Sequence, residues 1–342
     1  MEAVNVQPSS NSLNTKRKRP KIDDSDKERM EEPRRSAAYW FDDGNVILQA
    51  ENTRFRVHYT ILSRHSQVFQ DMFSLPQPEE EALFDGCPLV HVSDAPDDWS
   101  NIFSILYDHN VSYASTFDFA LPILASMLRI GKKYEFEHLQ FLALERIRME
   151  LPNSIDGWEH TFGPENPMNG LLVESDYEVD TINVLLETGF LTLLPMAYFL
   201  CVSSLMPISI CGGHVNVDNQ ISYLSTESIK TLTVARQAIS NAIMSHEFPW
   251  TTGFRSQSAI PTAECQTKVK CESRRSMVLA ELTPGPSPYG ALISPVHSGI
   301  LHGYCDSCAC EIRNIYYAGR EVIWDNLPSY FGLPKWEDLR DI

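Results

Sequence analysis

The sequence predicts an α+β domain, a small mixed sheet covered by helices, followed by a mostly helical C-terminal domain. Three observations predict it. Two short strand patterns face each other across a tight turn near residue 50, and helical stripes then follow with one further short strand among them. In the second half, the segments 176–204 and 226–242 read as helical. At 342 residues, 43% hydrophobic and 21% charged, the chain is large enough for one big core or two smaller ones.

Residues 1–37 are Ser, Asn, Pro and charge with few large apolar side chains, so they read as a disordered tail. Order begins at Tyr39, Trp40 and Phe41. Asp43-Gly44 signals a turn before the strand Val46-Ile47-Leu48-Gln49-Ala50. The return strand alternates Phe55 and Val57 against Arg54, Arg56 and His58, the pattern of a half-buried strand. Leu62, Ser66, Phe69, Met72 and Phe73 then fall at helical intervals. A Pro-rich acidic loop at 76–86 leads to the strand Leu89-Val90-His91-Val92. Asp94 or Asp97 is placed to cap a helix bearing Trp99, Ile102, Phe103 and Leu106. Two more stripes follow: Ala120, Ile123, Leu124, Met127 and Tyr134, then Phe136, Leu139, Ala143 and Ile147. Leu151-Pro152 stops the second, which bounds the first domain at 38–152.

Residues 153–177, rich in Pro and Gly, read as a linker, and 178–342 as the second domain. There a helix pair over 176–204 should break near Pro195. Ser225 opens an imperfect capping box before a helix over 226–242. A Pro/Gly-rich loop spans 285–295.

Charge narrows the function. The formal net charge is −17, and because residues 1–36 hold nine basic and seven acidic side chains, net +2, the remainder carries −19. Such a field repels nucleic acid and anionic membrane, so protein partners are expected and a nucleic-acid partner is not. No Asp, Glu, Lys or Arg occurs between Glu187 and Asp218, but Pro195 and Pro207 interrupt that run and no Lys/Arg cluster flanks it. It reads as a buried helix, not a membrane span. Eight cysteines are too sparse for a disulfide scaffold, and residues 1–14 do not read as a secretory signal, so a reducing intracellular compartment is expected. The run Lys16, Arg17, Lys18, Arg19, Pro20, Lys21 suits an acidic groove of an import receptor, which gives nucleus and/or cytoplasm as the expected location; the plain alternative is a solvated charge run.

Asp43-Gly44-Asn45-Val46-Ile47-Leu48, Phe55-Arg56-Val57-His58, Leu62, Ser66 and Phe69-Gln70-Asp71-Met72-Phe73 together resemble the opening of a BTB/POZ domain. Ile130-Gly131-Lys132-Lys133-Tyr134, with Phe136 and Leu139, resembles the helix pair that closes it. The wording is most similar to the fungal (basidiomycete-type) BTB-domain proteins. Their C-terminal region ends much like Trp324-Asp325-Asn326-Leu327-Pro328-Ser329-Tyr330-Phe331-Gly332-Leu333-Pro334-Lys335-Trp336-Glu337. The resemblance implies a non-enzymatic adaptor or regulator that self-associates and docks protein partners. Its alternatives are a nuclear transcription or chromatin regulator using the basic tail, or a substrate adaptor for a cullin-type ubiquitin ligase. A homodimer interface is expected within residues 39–75, at Tyr39, Trp40, Phe41, Leu62, Phe69 and Met72, because large aromatics are enriched at interfaces. Adaptor-type members carry an acidic residue after an apolar one just before the helix near Phe119. Here that pair is Phe117-Asp118, with Asp for Glu, which weakens the expectation of a cullin partner.

His58 reads as a helix-start histidine and Ser66 as a packing hydroxyl, neither beside a catalytic partner in sequence. The chain carries no Gly-x-Gly-x-x-Gly, phosphate loop, His-Glu-x-x-His or nucleophile elbow, so no catalytic residue is assigned. Cys211-Gly212-Gly213-His214 brings a thiol near an imidazole in sequence only. One cluster has ligand spacing. Cys305-x2-Cys308 suits a tetrahedral thiolate site, and Cys265-x5-Cys271, wider than the usual spacing, completes four ligands for one zinc ion. His297 lies near, with Cys310 or His302 as substitutes. The alternative is four reduced cysteines buried as small hydrophobes.

Overall fold

The computed structural model describes residues 32–76, 83–108, 119–162, 176–252, 260–282, 292, 296 and 298–342. The basic run at 16–21, the pair Phe117-Asp118, His297 and most of the 285–295 loop lie outside the described residues.

Five strands form a mixed sheet in the order β1-β3-β2-β5-β4. The hairpin of β2 (Val46–Ala50) and β3 (Thr53–Val57) pairs Val46 with Val57 and Ala50 with Thr53, as the alternation predicts. Phe55 and Val57 are fully buried, while Arg54 and Arg56 are half-buried. On one side β2 runs parallel to β5 (Cys87–Val92), which pairs in turn with the two-residue β4 (Leu83–Phe84). On the other side β3 runs parallel to β1 (Arg34–Trp40). Arg34 to Ala37 therefore belong to a strand although they fall inside the stretch read as a disordered tail. An edge strand needs no apolar alternation, because most of its side chains face water. Arg35 instead bonds Asp85 at 2.6 Å and lies over the Trp40 ring at 4.5 Å.

Helices cover the sheet. The chain passes from α1 (Tyr59–His65) to α2 (Gln67–Ser74) through Ser66, whose extended backbone separates them. The Ser66 hydroxyl accepts the Phe69 N–H at 3.1 Å and donates to the Tyr134 carbonyl. That capping bond satisfies one of the N–H groups a helix start leaves free. Next come α3 (Pro96–Tyr107), α4 (Leu121–Tyr134) and α5 (Glu137–Glu150). Neither Asp94 nor Asp97 caps α3; Ala95 is the cap residue and Pro96 starts the helix, its missing N–H costing nothing there. Asp94 is engaged by Lys133 and the Tyr134 hydroxyl, both at 2.6 Å. Phe69 sits between Trp99, Tyr134 and Phe136, with ring centroids 5.2–6.1 Å apart. Burying each such ring stabilises by about 1.5–3 kcal/mol.

The stretch read as a linker contains a helix, α6 (Ile155–Phe162). Trp158 anchors it, buried and donating its indole N–H to the Leu292 carbonyl at 2.8 Å. After α7 (Glu178–Thr188) the chain breaks at Gly189, with φ +75°, and not at Pro195. Pro195 lies in the first turn of α8 (Leu194–Ser204), where proline is tolerated. That helix is buried all round from Leu194 to Val202, and among the described residues no helix is long and apolar enough to cross a membrane. There follow α9 (Pro207–Gly212) and a small ladder of β6 (His214–Val215) and β7 (Ile221–Ser222). Helix α10 (Thr226–Ala242) is capped by Ser225, which accepts the Ser228 N–H at 3.0 Å, and runs on into a π-helical turn, Ile243–Glu247. Four helices follow, α11 (Pro249–Thr252), α12 (Lys268–Glu281), α13 (Ser298–Leu301) and α14 (Asp306–Asp325), and then two short turns, α15 (Leu327–Tyr330) and a 3-10 turn, Trp336–Asp338.

Buried apolar side chains form one continuous core from Tyr39 to Phe331. Helix α4 packs on α7, where Arg129 bonds Glu187 at 2.8 Å and Lys132 bonds the Thr188 carbonyl at 2.7 Å.

Candidate functional site

The sheet has two edges, and they differ. β4 is two residues long, whereas β1 runs for seven, with Arg34, Arg35, Ala37 and Ala38 exposed. Its pairing with β3 is irregular between Arg35 and Trp40, and there the Ser36 hydroxyl accepts the Tyr39 N–H at 3.1 Å. A long edge with small side chains offers unpaired N–H and C=O groups as a template for another strand.

Of the residues expected at a dimer interface, the structure puts Tyr39, Leu62 and Phe69 in the chain's own core, at 8%, 0% and 1% exposure. The Tyr39 hydroxyl bonds Asp108 at 3.0 Å. These three do not present an interface; a ring that packs well in a core has the same composition signal as one that packs against a partner. Trp40, Phe41 and Met72 are half-buried and border the edge strand and the first two helices. Beside them His58 starts α1, its ring 3.3 Å from the Tyr107 hydroxyl and 3.3 Å from Asp43, which is the packing role the sequence implies.

The second site is a knot of sulfur. Cys271 lies in the first turn of α12, Cys305 is the N-terminal cap residue of α14 and Cys308 lies in its first turn. Cys265 closes a turn after Thr262, with its N–H on the Thr262 carbonyl at 3.2 Å. The four Sγ atoms all lie within 4.8 Å of one another, and Cys265 and Cys305 are 3.6 Å apart. The wide x5 spacing poses no obstacle, because the chain turns between Cys265 and the helix that carries Cys271. Backbone N–H groups point at the sulfurs: Cys305 donates to Cys271 Sγ at 3.4 Å and Thr262 to Cys308 Sγ at 3.5 Å. The Thr267 and Thr262 hydroxyls lie 3.4 and 3.7 Å from the same two sulfurs. Hydrogen bonding from the Cys308 N–H, with the neighbouring thiols, pulls the Cys305 thiol down to about 6; burial pushes Cys265 up to about 12. Cys310 and His302 are exposed and take no part in the group.

Two further arrangements were not legible in the sequence. Asp176, Glu178 and His214 converge, the imidazole Nε2 lying 3.6 Å from Asp176 and 3.8 Å from Glu178. Burial lifts the Glu178 carboxyl to about 7. Helix, loop and ladder meet there only through tertiary packing, and no spacing signals it. Cys211 is exposed, while the His214 ring faces these two carboxylates, so the sequence neighbours Cys211 and His214 do not make a nucleophile and base. A cleft of about 510 Å³ lies between the sheet domain and α7, lined by Asp94, Asp98, Arg129, Lys132, Lys133 and Glu187. Its charges already pair with one another or with the Thr188 carbonyl.

Comparison with curated proteins and with solved structures gives no match. A family model of the BTB/POZ domain does match, over residues 41–147, the span of the hairpin, β5 and the helices to α5. From Phe41 to Ile147 the chain is a BTB/POZ domain, a module whose general role is to bind other proteins.

Proposed function

We propose that this protein is a non-enzymatic adaptor that docks protein partners and pairs with a second copy of itself through its BTB/POZ domain. The observation that carries the pairing is β1, a seven-residue edge strand with Ala37 and Ala38 exposed at its centre. A second copy can add its own strand there, with Trp40, Phe41 and Met72 supplying apolar contact. The acidic body, net −19 outside residues 1–36, favours protein over nucleic acid as partner. The likeness to fungal proteins of this type supports the same reading. A cullin scaffold is the less favoured partner, since Asp118 stands where adaptor-type members carry Glu.

Light scattering on the full chain at micromolar concentration should give twice the 38.8 kDa of one chain. Ala38→Asp, which puts a charge on the exposed edge, should weaken the dimer by at least about tenfold, because a charge on an edge strand opposes pairing. A wild-type chain that stays monomeric overturns the pairing.

The basic run supports nuclear accumulation. A fluorescent fusion should concentrate in the nucleus, and replacing Arg17, Lys18 and Arg19 by alanine should return it to the cytoplasm. Identical distributions for the two fusions would reduce the run to a solvated tail.

A further inference from the structure

We propose that Cys265, Cys271, Cys305 and Cys308 hold one zinc ion in a closed, structural tetrathiolate site. This is independent of the docking reading. A tetrahedral ion with Zn–S bonds of about 2.3 Å sets neighbouring sulfurs about 3.8 Å apart. The four sulfurs already lie within 4.8 Å of one another, with Cys265 and Cys305 at 3.6 Å. That is far beyond a disulfide bond of about 2.05 Å, and all four cysteines are free. It is also too tight for a cluster of several irons and sulfides, which would spread its thiolates. One ion fits.

The four thiols converge, and two of them receive backbone N–H donors. Four neutral thiols would need no convergence, since each packs as a small hydrophobe on its own. Here the Cys305 and Thr262 N–H groups aim at Cys271 and Cys308, the kind of outer donor that fixes a ligand's orientation and stabilises its charge. A zinc with four thiolates carries a formal charge of −2. Helix α12 also carries Arg274 and Arg275 within four residues of Cys271, and these pair with Glu281 at 2.8 Å and Glu272 at 3.5 Å. Arg274 is fixed there by the His302 and Gly299 carbonyls at 3.0 and 2.7 Å.

Cys265, Cys271 and Cys308 are buried and Cys305 is half-buried, and four protein ligands leave no position for water or substrate. The ion's work is therefore architectural: it ties the 262–265 turn, α12 and α14 together. Two of these segments, α12 and α14, are separated by residues 282–305 in sequence.

The test is the metal content of the full chain, expressed with zinc and iron both supplied and purified under reducing conditions without chelator. We expect about one zinc per chain, released in step with titration of the thiols by an organomercurial. Cys308→Ser should cut the zinc to below about a tenth per chain, while Cys310→Ser, on the exposed thiol, should keep it. Because Cys308→Ser can fail for lack of folding, cobalt(II) exchanged into the wild-type chain supplies a second readout. It should show the intense visible bands and sulfur charge transfer of tetrahedral thiolate coordination. Zinc below about a tenth per wild-type chain, iron in its place, full retention in Cys308→Ser, or a weak six-coordinate cobalt spectrum would each overturn the proposal.

Discussion

Gly319→Ala should cost the folded chain about 3 kcal/mol, the upper end of what overpacking a close contact costs. Gly319 sits in the middle of α14, where that helix crosses the π-helical turn Ile243–Glu247. A methyl group there would lie 2.8 Å from the Glu247 backbone nitrogen and closer still to the His246 carbonyl. Both neighbours are backbone, so no side-chain rotamer can relieve the clash. Nor can α14 retreat, because Ile312, Tyr316 and Ile323 on the same helix are buried in the core. Against a typical stability of about 5–15 kcal/mol the loss is large. Urea unfolding measures it, with Gly212→Ala as the control: nothing lies within 4 Å of a methyl group there, and that variant should match the parent or gain slightly. Equal midpoints for the two variants would mean that α14 and the turn are not in contact in solution.

Glu247→Gln, at the same crossing, should stabilise the protein increasingly as pH rises. The Glu247 side chain is fully buried and neither of its carboxylate oxygens has a hydrogen-bond partner. Burial pushes its carboxyl up to about 9, with the Arg320 guanidinium pulling the other way. Arg320 is itself buried and committed elsewhere, to Glu159 at 2.8 Å and the Leu292 carbonyl at 3.2 Å. The folded chain thus holds a proton at neutral pH that the unfolded chain, with a carboxyl near 4.5, has released. Stability is therefore highest below that value and falls between 4.5 and about 9, by at most about 1.4 kcal/mol per pH unit. Glutamine cannot ionise and removes this slope. The variant and the parent should differ least at pH 5, by about 3 kcal/mol at pH 7, and by still more as pH rises towards 9. Parallel stability curves across that range would mean that the carboxylate is charged in the fold.

What could be read from the chain depended on whether its physics is local. The β2–β3 hairpin was legible because one face is buried and Phe55 and Val57 alternate with arginines. Helix α10 was legible to the residue, since Ser225 caps it and apolar positions repeat behind the cap. Strand β1 was not, because Arg-Arg-Ser-Ala-Ala carries no alternation and its order comes from β3 beside it. Helix α6 hid among prolines and glycines; Trp158, reaching Leu292, and Glu159, paired with Arg320, hold it in place from far along the chain. The thiol cluster was half legible. Cys305 and Cys308 fall on one helical turn by spacing alone, but their meeting with Cys265 and Cys271 is tertiary. Aromatic residues misled most: residue type cannot tell Phe69, which faces inward, from Trp40, which borders the edge.

The continuous core joins the edge strand to the sulfur cluster without any shared residue. If the chain opens only as a unit, any occupant that prefers the folded form adds its binding energy to every part of it. Strand addition at β1 would then slow the opening that exposes the thiols, and an ion held at the thiols would keep the edge presented. Such reinforcement is reciprocal: each occupant tightens the other by the same factor. Partner binding and thiol oxidation would then be rival claims on one chain, and the redox state of its surroundings would set how long it stays assembled.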